Sequence, residues 1–175
     1  MDKEKNKKFL FQEYLVNCED AIDKNMMPAN GRLYRLVHNP TIDKDLKPTS
    51  LWKFKSPGKS IDEEFDSIIP KGSSIEDQET QLADYLPSFN LTDLGAVAPF
   101  LDRYKKKTPE QRKQFLANKG EIVVAYDVTP ADGRWWAQKN GHVLFQPYEG
   151  FKLDEHVAAD FKYKHLDDYL NEQDE

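Results

Sequence analysis

The chain has 175 residues, 38% hydrophobic, 12% aromatic and 32% charged, with a formal net charge of -6. It is too apolar for a disordered segment and long enough to bury the core of one domain. The negative balance argues against general nucleic-acid binding, and no apolar run reaches the roughly 18 residues that span a bilayer, so no membrane role is expected.

A single cysteine, Cys18, excludes an internal disulfide and a cysteine-based metal cluster, and points to the reducing cytoplasm. The start MDKEKNKKFLFQEYLV is basic, but acids follow its Phe-Leu-Phe cluster within two residues, unlike a secretory leader. The expected organisation is one α+β domain over residues 1–175, with 1–7 and 172–175 frayed.

Residues 8–24 place Phe11, Tyr14, Leu15, Cys18 and Ile22 at helical spacing, which predicts a helix with Cys18 as a small core residue. A turn at Pro28, Asn30 and Gly31 leads into GRLYRLVHN, a strand stopped by Asn39-Pro40. Thr41 is placed to cap a helical turn through Leu46, and residues 51–55 alternate as a half-exposed strand does. Ser60 precedes IDEEFDSII, with Glu63 as a capping-box partner.

Ser74 heads the helical stretch IEDQETQLADYL. Thr92 opens another, in which Gly95 and Pro99 predict a break before PFLDRYKKK. Thr108-Pro109-Glu110 is a helix start and Gly120 its end. The basic cluster of Arg103, Lys105, Lys106, Lys107, Arg112 and Lys113 reads as a solvated helix end.

Glu121–Val128 is the clearest strand, a near-continuous apolar run of the buried type. After a turn at Asp132-Gly133, residues 134–138 predict a second strand. Asn140-Gly141 is a hairpin signal, and His142–Gln146 a third strand stopped by Pro147. From Lys152 to about Asn171 the pattern reads mostly as helix, in an acidic C-terminal region.

The chain lacks a phosphate loop, G-x-G-x-x-G, G-x-S-x-G, H-E-x-x-H and paired C-x-x-C. Its histidines, His38, His142, His156 and His165, are scattered. Only the last two share a predicted helix, on nearly opposite faces, so no metal site is expected.

Adjacent Trp135 and Trp136 on a strand must point to opposite faces. One of them is therefore expected at a groove, a partner interface or the sheet's outer face, unless it packs under the C-terminal helix. His142 and Gln146 share a strand face that, with Glu149, either lines a cleft or meets solvent. Arg35 stands among apolar neighbours and needs an anionic partner if buried, either an internal carboxylate or a ligand phosphate.

The order of these pieces (GRLYRLVHN, a helical middle, PSFNLTDLGAVAPFLDRY, EIVVAYDV, then GHVLFQP) resembles that of small bacterial ADP-ribosyltransferase-like domains, including toxin-antitoxin relatives. That resemblance implies NAD as the ligand, Arg35 holding the dinucleotide and Ser88 buttressing the pocket. It departs from the family where Gln146 stands in place of a catalytic Glu, and Ser88-Phe89-Asn90 in place of Ser-Thr-Ser.

Two functional expectations follow. The leading one is a non-enzymatic binding protein, resembling immunity proteins, antitoxins or inhibitors, with no cofactor and another protein as partner. Trp135 and Trp136 would be its interface. The alternative is an NAD-binding domain with a degenerate site, which requires Arg35, Ser88, His142 and Gln146 to converge on one cleft.

Overall fold

The structure, a computed structural model, describes residues 7–37, 68–161 and 163–173. The Asn39-Pro40 stop, the Thr41 turn, the strand at 51–55, most of the Ser60 helix and His38 lie outside the described residues.

The elements in chain order begin with α1 (Glu19–Asn25), β1 (Met27–Pro28), β2 (Gly31–Val37), α2 (Ile75–Tyr85) and β3 (Ser88–Asn90). Then come α3 (Asp93–Lys105), α4 (Pro109–Lys119), β4 (Ile122–Val128), β5 (Gly133–Ala137) and β6 (His142–Pro147). A two-residue β7 (Lys164–His165) and α5 (Leu166–Gln173) follow, and 3-10 turns occupy Gln12–Leu15 and Leu153–His156.

The described strands form one antiparallel sheet in the order β1-β5-β6-β3-β2-β4-β7. Together with the helices this is the expected α+β class.

Both faces of the sheet are buried. On one, Leu33, Phe89, Val124, Tyr126, Val143 and Phe145 make a cluster with Phe151, Leu153 and Val157 packed on it. The other face is shared between two helical groups. Leu144 packs with Leu15, Cys18, Ala21, Leu82 and Tyr85 near α1 and α2, and Val123 packs with Val97, Leu101, Tyr104, Leu166 and Tyr169 near α3 and α5. Two-sided burial explains why β4 is a nearly unbroken apolar run, with only Asp127 exposed.

The helix caps form as expected. Ser74 accepts from the Asp77 N–H, Thr92 from the Gly95 N–H, and Thr108 and Gln111 form a reciprocal capping box. Cys18 is fully buried.

Three expectations are corrected. First, α3 continues through Pro99 to Lys105 without a break. An interior proline costs about 3 kcal/mol, but Ala96, Val97, Leu101 and Tyr104 bury on both sides of it, and apolar burial outweighs the lost hydrogen bond. Gly95 serves the cap, since a Cβ there would lie 2.8 Å from the Thr92 hydroxyl.

Second, residues 8–24 do not form one helix. The Leu10 N–H donates to the Pro147 carbonyl at 2.9 Å and the Glu149 N–H to the Lys8 carbonyl at 2.8 Å, so the segment before Phe11 is an extended strap on the turn after β6. Phe11 turns the chain with φ 62, a left-handed conformation uncommon for a bulky residue. Third, the stretch from Lys152 to Asn171 is mostly not helical. The Ala158 N–H donates to the Ala125 carbonyl, Val157 bridges Tyr126, and β7 pairs with Ile122–Val123, so the chain runs along the open edge of β4 before α5 begins. Unpaired edge groups, which helical periodicity does not register, decide that segment.

Candidate functional site

Arg134, the second residue of β5, faces α1 across an open groove of about 800 Å³. Its conformation is held from two directions. Register pairs it with Gln146 of β6, and its Nε–H donates to Gln146 Oε1 at 2.7 Å. Gln146 is fully buried and donates in turn from Nε2 to the Leu10 carbonyl at 2.8 Å. The strap places Phe9 so that the guanidinium lies 3.9 Å from its ring centroid, and Phe9 itself stacks on Tyr148 at 4.4 Å.

Among the described residues, no carboxylate pairs with Arg134 and its terminal nitrogens donate no hydrogen bond. Burial pushes its pKa down, while the charge of Asp23 acts in the other direction. The desolvated cation is thus incompletely balanced by the protein.

The N-terminal wall also carries Lys8, which bridges to Glu13 at 3.3 Å and Glu149 at 3.8 Å. The opposite wall is α1, which presents Glu19 and Asp23 one turn apart with Ile22 between them, and Val16 stands just before it. Among the described residues, no hydroxyl, thiol or imidazole side chain lines the groove. A fixed guanidinium fork with free terminal donors matches a carboxylate or phosphate in a bidentate arrangement.

The residues singled out from the sequence are divided by this structure. Gln146 and Glu149 belong to the groove, as a buried support and as a rim partner of Lys8. Arg35 lies on the other face of the sheet, 5.3 Å from the Phe89 ring, and burial lowers its pKa. No carboxylate among the described residues pairs with it.

Ser88 and His142 share a face with Gln146, but Ser88 stands opposite Leu144 and His142 opposite Asn90, with fully buried Leu144 separating His142 from Gln146. The four residues required for a dinucleotide cleft therefore do not line one site. Trp135 and Trp136 do point to opposite faces, and each is half-buried against a core. Gly31 makes room for Trp135, whose Cη2 would be 3.1 Å from a Cβ at that position.

The scattered histidines are tied locally: His156 to Asp132 and the Lys152 carbonyl, His165 to Glu121 and the Asp167 N–H. Among the described residues no three His, Cys, Asp or Glu side chains converge to hold a metal, and no helix is long and apolar enough to cross a membrane.

Sequence reasoning passed over Arg134, Lys8 and Phe9. One signal was available, since a Gln inside the apolar run HVLFQP must have hydrogen-bond partners if the strand is buried. No family model, curated protein or solved structure matches the chain.

Proposed function

We propose that the chain is a non-enzymatic binding protein acting through a macromolecular partner, with the Arg134 groove as its recognition contact. The observation that carries this reading is the held guanidinium whose terminal nitrogens are uncommitted among the described residues, in a groove that those residues line without a hydroxyl, thiol or imidazole to do chemistry. The net charge of -6 supports electrostatic steering toward a basic target, and one fixed cation on such a surface sets orientation more than attraction. Immunity proteins, antitoxins and inhibitors of basic enzymes work in this way.

The test is affinity capture from the protein's own host at low salt, with the unaltered chain and Arg134→Glu side by side and folding checked by circular dichroism. A stoichiometric partner retained by the first and lost by the second is the expected result. Equal retention by both, or no stoichiometric partner at all, rejects the proposal.

A further inference from the structure

The groove's charges are arranged in opposition. Lys8 and Glu13 pair with each other, and Lys7 donates to the Ala131 carbonyl while lying over the Tyr148 ring. Among the described residues, what remains without an opposite charge in contact is Lys7 and Arg134 on one side and Glu19 and Asp23 of α1 on the other. Asp23 is near enough for its charge to act on Arg134, yet among the described residues no ion pair closes between the walls.

An anionic ligand on Arg134 meets repulsion from the two acids, and a cationic ligand on the acids meets repulsion from Arg134. Only an occupant with both charges satisfies both walls. Val16, 54% exposed, and half-buried Ile22 favour a short apolar part in contact with α1.

We infer that the groove recognises a mixed-charge ligand, with a carboxylate on the terminal nitrogens of Arg134, a cationic group toward Glu19 and Asp23, and an apolar side chain against Val16 and Ile22. This rests on reading the groove as a recognition site. The same chemistry has two sources, an acidic and a basic side chain in a peptide segment or the two ends of a free amino acid.

The Arg134 Nε–H, held by Gln146, provides a local nuclear magnetic resonance probe. Ligands are titrated to on the order of 10 mM, enough to detect millimolar binding. The capped tripeptide aspartate-leucine-lysine is expected to move the signal, and replacing its lysine by norleucine to weaken binding roughly fivefold or more. With Glu19→Gln and Asp23→Asn together, both on the exposed side of α1, that difference is expected to vanish.

Free leucine and N-acetylleucine form the second arm. If leucine binds better than N-acetylleucine while the tripeptide is inert, the mixed-charge assignment stands and the macromolecular reading falls. If N-acetylleucine binds as tightly as leucine and norleucine replaces lysine without loss, the site is anion-only and the inference is wrong. A folded protein whose signal moves with none of these probes also overturns it.

Discussion

Arg32 on β2 and Arg134 on β5 stand on the same face of the sheet, in different halves of it. Arg32 donates to Asp127, opposite it on β4, and to Asp160 in the segment that runs along the β4 edge. Those contacts raise its pKa and hold the Asp160 carboxyl below the usual range. Arg134 has an aromatic ring and a neutral amide instead, and burial lowers its pKa. The same side chain closes an edge in one half of the sheet and is kept available in the other. Its partners distinguish the two uses better than its own exposure does.

The largest effect that would break this comparison is expected from Gln146→Leu. Both the Leu10 carbonyl and the Arg134 Nε–H lose their partner, at about 2 kcal/mol, so the melting temperature should fall by about 4–8 °C. Thermal unfolding followed by circular dichroism measures it. A change below about 2 °C would mean that Gln146 does not hold the arginine.

Arg32→Gln should do less. Its carboxylate partners are exposed and screened, so the shift is expected to stay within about 2 °C and to shrink further near 1 M salt. A larger, salt-independent loss would place Arg32 among the structural cations and blur the contrast.

The smallest effect sharpens the boundary between the halves, at His142. Burial lowers its pKa, so between that lowered value and the ordinary one near 6.5 the unfolded chain binds more protons than the folded one. Its contribution is therefore present above about pH 6.5 and is lost as the pH falls through that window. His142→Gln should flatten the slope of stability against pH there, measured by urea unfolding at several pH values. An unchanged slope would show that the ring gives up no hydration on folding.

Much of the fold was legible in the residues. The buried run at Glu121–Val128, the hairpin at Asn140-Gly141 and the caps at Ser74, Thr92 and Thr108 declared themselves because their signals are local. The N-terminal strap and the 157–165 segment did not, because each is drawn out of helix by a strand edge distant in the chain. The site was legible only at its supports. Gln146 and Glu149 stood out as polar residues beside an apolar strand, whereas the role of Arg134 is set by Phe9, and no periodicity connects those two. Strand alternation also cannot say that both faces of a sheet are covered, which is why the surroundings of Trp135 and Trp136 stayed open between a groove or interface and packing under a helix.

The strap has a consequence for the order of assembly. The hydrogen bond from Gln146 to Leu10 joins residues 136 positions apart, while β5 and β6 meet across a short turn. Local pairings close faster than distant ones, so the hairpin can form early and the strap docks only after the turn following β6 is in place. During synthesis the first residues of the groove to leave the ribosome are the last to reach their positions, and Arg134 acquires its ring only then. A nascent chain lacking that turn has no groove, and a mature chain whose strap detaches by local opening loses the groove while most of the sheet stays paired.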